Sequence, residues 1–229
     1  MDARRGIIVT VPLPTRRGWA RPEPIVESFL RDREAWLRRH LERHQRTRAE
    51  LAARGGLVDG GLVRYRGELH RLRIAPAPPG RRRSSVARSG EDDADVLLVE
   101  IAARDRRPLV RVLRDWFRER AEETLWREID RHASALGVTP AAVSLRDPRS
   151  RWGSASRERR LMFSWRLVLA PPRALETVVV HELAHLRVFG HGAAFWAVVA
   201  SRVPDHARWR RWLREHSHEL HAALDADEM

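Results

Sequence analysis

The five residues His-Glu-Leu-Ala-His at positions 181–185 constrain the fold of this chain more than any other stretch. Residues i and i+4 lie on one face of an α-helix, so His181 and His185 can present two imidazoles to one metal ion if this segment is helical. Glu182 points about 100° away from His181, where its carboxylate can reach a water held by the metal. Two nitrogen ligands, a carboxylate base and an activated water are the parts of a zinc hydrolase site.

A catalytic zinc ion usually takes three ligands from the protein, and His191 is the first candidate for the third. It lies between Gly190 and Gly192, and glycines allow a helix to stop and the chain to turn back toward the metal. The other candidates are Asp205, His206, Glu215 and Glu219.

The residues around the motif favour a buried helix over a surface helix with two solvated histidines. Pro171 and Pro172 suit a first helical turn, and the length from there to Phe189 suits a helix. The β-branched run 178–180 would also suit a strand. The apolar flanking residues are Val178, Val179, Val180, Leu183, Ala184 and Leu186.

Residues 1–105 are predicted to form an N-terminal strand-helix-strand region. The pattern predicts a strand at 6–13, a helix from Pro22 that ends at the glycines 55–56, a hairpin over 61–75 and a strand at 96–102. Residues 75–95 are rich in Pro, Arg, Ser and acidic side chains, and we expect a flexible insertion there.

Residues 106–229 are predicted to form the catalytic region. A helix over 108–136 precedes a β-rich segment at 142–169, and the motif helix and two shorter helices follow. This predicts an α+β fold in which a small β-sheet packs on a helical, zinc-binding C-terminal part. An edge strand of that sheet could pair with an extended substrate. Arg151 and Trp152 are candidate substrate-binding residues in it; the alternative is a buried Trp152 with Arg151 packed on it.

Composition excludes several classes of protein. The chain has no cysteine, so disulfides and thiolate ligands are impossible, and any zinc must be held by histidine and carboxylate. All 44 basic residues are arginine, and the net charge is +13. Such charge can attract nucleic acid or nucleotides, but charge alone does not indicate a specific nucleic-acid partner. No stretch approaches the roughly 20 apolar residues of a membrane-spanning helix, and we expect a cytoplasmic protein.

Several ordered motifs resemble the YgjP-like family of zinc metallopeptidases. That family has the pattern R-W-G-S-C-S, then F-N-W-R-L, then H-E-L-A-H, then N-H-S-x-x-F-W, and the similarity covers most of the chain. The resemblance implies a zincin-like fold, zinc on His181, His185 and His191, and Glu182 as general base. The matching runs here are 151–154, 163–171, 179–186, His191 and Phe195-Trp196.

The chain departs from the family pattern without losing any implied ligand. Ala155 stands where the family usually has Cys, Ser164 stands where it usually has Asn, and Gly190 and Gly192 flank the third histidine. The leading hypothesis is a zinc metallopeptidase acting on peptide or protein substrates. One alternative is a metal-dependent nucleotide phosphohydrolase, although two-metal carboxylate sites are commoner for that chemistry. The other is a non-catalytic zinc-containing adaptor that binds protein or DNA.

Overall fold

The computed structural model of the protein describes Val11, residues 21–89 and residues 95–224. The predicted strand at 6–13 lies outside the described residues, except for Val11. The chain divides into two compact units, residues 1–47 and residues 48–229. Among the described residues, no helix is long and apolar enough to cross a membrane.

The N-terminal helical prediction is realised as two helices, α1 (Pro22–Asp32) and α2 (Glu34–Ala53). The chain leaves helical geometry at Arg33, which a continuous apolar stripe does not predict. Neither helix contains a buried residue, and Phe29 and Trp36 are about half exposed at 47% and 50%. Among the described residues, the apolar stripe of these two helices is therefore not buried.

Four strands of the second unit form a mixed sheet. They are β1 (Leu62–Tyr65), β2 (Glu68–Pro76), β3 (Ser85–Arg88) and β4 (Val96–Ile101), in the order β1-β2-β4-β3. β2 and β4 are parallel, whereas the other two pairs are antiparallel. The hairpin at 61–75 and the strand at 96–102 are thus close to their predicted positions.

Part of the segment 75–95, which the sequence predicts to be a flexible hairpin insertion, is a strand. The segment contains the end of β2, and it contains β3, which pairs antiparallel with β4 along the edge of the sheet. Ser84 and Glu100 tie this segment to the sheet through side-chain hydrogen bonds. An edge strand needs few apolar residues because one side of it faces solvent. The flexibility of this insertion stays a prediction.

The long helix α3 (Leu109–Leu136) matches the prediction and ends at Gly137, whose φ of 63° is left-handed. After it come three short strands, β5 (Ala142–Arg146), β6 (Gly153–Ala155) and β7 (Arg160–Ser164), in the order β5-β7-β6. β7 continues directly into a short 3-10 helix, Trp165–Leu169, that the sequence pattern did not predict. All five of its residues are buried.

Three helices complete the chain: α4 (Pro172–Ala184), α5 (Ala193–Arg202) and α6 (His206–Ala222). One apolar core joins both sheets to α3, α4 and α6, so residues on both sides of the predicted boundary at 105 share it. That boundary stays a prediction. The class is α+β, as predicted, with small sheets and helices.

The β1–β2 hairpin contacts the segment that leads into α4. The hairpin turn uses Arg66 and Gly67, whose φ angles are 53° and 91°. Their N–H groups donate to the carbonyls of Val168 and Leu169 at 2.9 Å. A side chain at position 67 would collide with Pro171, since a Cβ there would lie 2.8 Å from its Cγ. A glycine is therefore required where the hairpin meets the start of α4.

Candidate metal centre

The last turn of α4 presents the first two histidines of the motif. The valines 178–180 are buried in this helix despite their β-branched side chains, because burial outweighs a small intrinsic helix penalty. The centroids of His181 and His185 lie 4.9 Å apart. The helix ends at Ala184 with His185 as its C-cap, five residues short of the predicted end at Phe189.

The chain then turns and returns His191 to the same place. The N–H groups of Leu186 and Arg187 donate to carbonyls three residues back, at 3.0 Å in both cases, and Gly190 takes a φ of 85°. Nε2 of His191 lies 3.2 Å from Nε2 of His181. The structure brings one ligand atom from each of His181, His185 and His191 within 4.8 Å of the others.

The other candidate third ligands lie outside the three-histidine group. Asp205 accepts hydrogen bonds from Arg173 and Trp209, at 3.0 and 2.7 Å. Glu219 is buried and accepts from two arginines, at 2.7 Å from each. His206 stacks on Trp196 with ring centroids 5.1 Å apart. Neither these three residues nor the exposed Glu215 belongs to the three-histidine group.

Phe195 forms an aromatic floor under the three imidazoles. It is fully buried, and its ring centroid lies 4.9 Å from His181, 4.4 Å from His185 and 4.9 Å from His191. The sequence analysis assigned Phe195 only to the family motif. Phe195 follows His191 by four residues, but His191 precedes α5, so helical periodicity does not place the two side chains together.

Burial keeps His181 and His185 in the neutral form that binds metal. Desolvation, followed by the charges of His185 and His191, lowers the pKa of His181 to about 3. The pKa of His185 is also lowered, by desolvation and by His191. At neutral pH each of these two imidazoles therefore has one nitrogen with a free lone pair.

Glu182 is 6% exposed and lies against the backbone of β6. Burial raises the pKa of its carboxyl to about 8, and the positive charge of Arg151 opposes that rise. The Glu182 side chain lies close to Gly153: a Cβ added at Gly153 would lie 2.7 Å from Oε1 and 2.8 Å from Cγ of Glu182. The motif carboxylate thus fills space that a side chain on β6 would otherwise take, a role for Gly153 that the sequence did not reveal.

β6 is an edge strand of its sheet, and among the described residues it pairs only with β7. The Trp152 carbonyl and the Ser156 N–H bond to β7 at 2.8 and 2.9 Å. Because backbone groups alternate between the two sides of a strand, Gly153 and Ala155 direct theirs toward the open edge. This edge runs beside Glu182.

Arg151 and Trp152, the candidate substrate-binding residues, have different environments. Trp152 is half-buried, and its ring stacks on His221 of α6 at 4.7 Å. That packing favours a structural role for its indole. Arg151 is exposed, and its charge acts on Glu182.

A second group also contains metal-type ligands, namely Glu128, His132 and Glu176. His132 Nδ1 lies 3.3 Å from Nε of Arg202, which can only donate, so Nε2 carries the proton that it gives to Glu176 at 3.0 Å. Glu176 also pairs with two arginines, Arg131 and Arg173. The His132 proton and the charges of Arg131 and Arg173 thus balance Glu176. The group is a buried network that links α4 to α3.

Comparison with known proteins gives two matches. A family model described as YgjP-like, metallopeptidase domain, matches residues 2–216. No curated protein sequence matches the chain. The crystal structure of the metallopeptidase zymogen of Pyrococcus abyssi abylysin is similar over 40% of this chain and 93% of that chain, with 18% identity and a TM-score of 0.36.

Proposed function

Because the chain belongs to the YgjP-like metallopeptidase family, we propose that it is a zinc-dependent peptidase with its site at the end of α4. Membership supports a metal-dependent peptidase, and the geometry supports the identity of the residues. In this proposal His181, His185 and His191 hold zinc, and Glu182 is the general base.

The donor set fits a zinc ion. Zinc–nitrogen distances of about 2.0–2.1 Å in a tetrahedral site separate two ligand nitrogens by about 3.3 Å. The Nε2 atoms of His181 and His191 are 3.2 Å apart, close to that separation. Three neutral imidazoles without a fourth protein ligand are typical of a catalytic zinc site. A zinc ion so held would supply Lewis acidity and lower the pKa of bound water.

Glu182 is suited to accept and return a proton. Its buried carboxyl has a pKa raised to about 8, and a base works best when its pKa lies near the working pH. A cation at the neighbouring histidines would favour the ionised carboxylate and lower that pKa again. In the proposed reaction Glu182 takes a proton from the attacking water and delivers it to the leaving amine.

The open edge of β6 is the proposed binding site for the peptide backbone. Gly153 and Ala155 point their N–H and C=O groups away from β7. An extended peptide can add to such an edge as a further strand. Since Gly153 lies against Glu182, a peptide paired with this edge would pass beside the proposed base.

The convergence of three histidines from a helix and the following loop carries the proposal. Its test is zinc content together with peptide hydrolysis for the full chain, for His185→Ala, for His191→Ala and for Glu182→Gln. We expect one zinc per chain, lost in both histidine variants and kept in Glu182→Gln, whose turnover falls at least about 10²-fold, the lower range for general base catalysis. His216→Ala, on α6, is the matched histidine control.

Three outcomes would contradict the proposal. Full zinc retention in His191→Ala would remove the third ligand from the proposed set. Release of phosphate from nucleoside triphosphates, with no cleavage of any peptide, would favour the phosphohydrolase alternative. Salt-dependent DNA binding that is unchanged in Glu182→Gln would favour the non-catalytic adaptor.

A further inference from the structure

One face of α6 lies beside the three histidines. His206 and Arg210 are four residues apart, so they lie on one face of α6, and both contact Trp196. The Arg210 guanidinium lies 4.1 Å from the centroid of the Trp196 ring. That ring in turn lies 5.7 Å from His181 and 5.8 Å from His191. One indole therefore separates Arg210 from the proposed metal ligands.

Arg210 differs from other arginines that contact the C-terminal helices. Arg64 and Arg173 each bind a carboxylate, at 2.7 Å in both cases, and Arg166 binds Asp147 at the same distance. Arg210 has neither a hydrogen bond nor an ion pair with any residue in the part of the chain that the structure describes. Its guanidinium is held over an aromatic ring, where desolvation and the charge of Arg214 lower its pKa.

Positive charges act on both parts of the site. Beyond desolvation and the neighbouring histidines, Arg210 lowers the pKa of His181. Burial raises the pKa of Glu182, and the positive charge of Arg151 opposes that rise. A substrate carboxylate at the site would thus meet the charges of Arg210 and Arg151.

We propose that Arg210, held over Trp196 beside the three histidines, is a specificity-determining residue that binds a carboxylate of the peptide substrate. This rests on the proposed peptidase function. The carboxylate belongs either to an acidic side chain near the cleaved bond or to the C-terminus of the peptide. A guanidinium suits this task because it remains charged, stacks on an aromatic ring and binds carboxylate with two parallel hydrogen bonds.

Arg208 provides a matched control for Arg210. It too is exposed on α6 and lies over an indole, with its guanidinium 4.9 Å from the centroid of Trp209. Trp209 donates to Asp205 instead of contacting the histidines. Replacing Arg208 therefore removes an equal charge and a similar, more distant stacking contact away from the site.

The test uses the full-length, zinc-loaded protein and a synthetic pool of random-sequence peptides, prepared once with free and once with amidated C-termini. Mass spectrometry of the products identifies the cleaved bonds. Enrichment of Asp and Glu at a fixed position in both pools assigns the carboxylate to a side chain. Cleavage at a fixed distance from the C-terminus, in the free-acid pool alone, assigns it to the terminus.

A pair of peptides that differ only in that carboxylate, as Glu against Gln or as acid against amide, then measures the preference. The ratio of their kcat/KM values should fall about tenfold in Arg210→Ala, as expected for a hydrogen bond to a charged group. It should stay unchanged in Arg208→Ala. For a side-chain carboxylate, Arg210→Glu should reverse the preference toward a Lys peptide. An equal ratio in the parent protein and in Arg210→Ala would overturn the proposal.

Binding separates this inference from the peptidase proposal. Fluorescence anisotropy with labelled versions of the same two peptides, on the Glu182→Gln variant, should show the preference without turnover. If no peptide is cleaved but binding prefers the carboxylate and depends on Arg210, the peptidase proposal fails and the binding site stands. Tight single-stranded DNA binding that is lost in Arg210→Ala, with no peptide preference, would overturn the carboxylate assignment in favour of a phosphate ligand.

Discussion

The contact between Gly153 and Glu182 makes a direct prediction about catalysis. In Gly153→Ala the new Cβ would lie 2.8 Å from Cγ and 3.0 Å from Cδ of Glu182. Rotating the carboxylate alone does not relieve this contact, because Cγ is as close as the oxygen. The φ of Gly153 is not left-handed, so an alanine backbone is tolerated there and the effect falls on Glu182.

The size of the effect follows from these distances. Carbon atoms prefer a separation of about 3.5–4.0 Å, so the side chain of Glu182 must move by about 0.7–1.2 Å. A displacement of about 1 Å in a catalytic group costs about 10²-fold in rate, which corresponds to about 2.7 kcal/mol of activation free energy. We therefore expect kcat for peptide hydrolysis to fall about a hundredfold with zinc content unchanged.

Steady-state kinetics beside metal analysis would measure this. Gly192→Ala is the control, since a Cβ at Gly192 would meet nothing within 4 Å and its φ is −75°. We expect kcat of that variant to stay within about twofold, the size of effect expected for a change of a few tenths of a kcal/mol. Undiminished kcat in Gly153→Ala would refute the claim that this contact positions Glu182.

Three further predictions concern stability and the metal. Burial disfavours the charge of Glu219, but hydrogen bonds from Arg64 and Arg54 lower its pKa below 4.5. The stabilisation that its carboxylate gives is therefore present above about pH 4.5 and is lost as pH falls through the lowered pKa. Glu219→Gln should cost about 3 kcal/mol of unfolding free energy at pH 7, and its stability in urea should depend less on pH in that acid range. Glu176→Gln should destabilise the protein by about 3–5 kcal/mol because it removes the buried negative charge that balances Arg131 and Arg173, and unchanged urea denaturation would contradict the network. Phe195→Ala should cost about 3–5 kcal/mol and also weaken zinc binding in a chelator titration, whereas a stability loss with unaltered zinc affinity would show that the aromatic floor does not orient the imidazoles.

Patterns with a strict period could be predicted from the sequence. The motif spacing placed His181 and His185 on one helical face, and the apolar stripe of α3 gave a helix within one residue of the structure. Gly190 marked the turn that returns His191, and the structure gives it a left-handed φ. Each of these depends on local backbone geometry, which a few neighbouring residues determine.

Features set by distant contacts could not be predicted. β3 exists because β4 offers it a pairing edge, although its own composition indicates a loop. The need for a bare backbone at Gly153 arises from Glu182, which lies on another element 29 positions away in the sequence. The unpaired state of Arg210 depends likewise on where α5 places Trp196. A single sequence carries no record of such pairings.

The β1–β2 hairpin supports the segment that leads into the helix carrying the proposed metal ligands. Its turn hydrogen-bonds to the carbonyls of Val168 and Leu169 and touches Pro171, immediately before the helix that carries the motif. A fragment beginning at residue 106 would keep every proposed ligand but leave those carbonyls and the apolar face beneath them exposed to water. The smallest active fragment should therefore include the β1–β2 hairpin, although the hairpin contains no proposed catalytic residue. A truncation between the hairpin and α3 should abolish zinc binding.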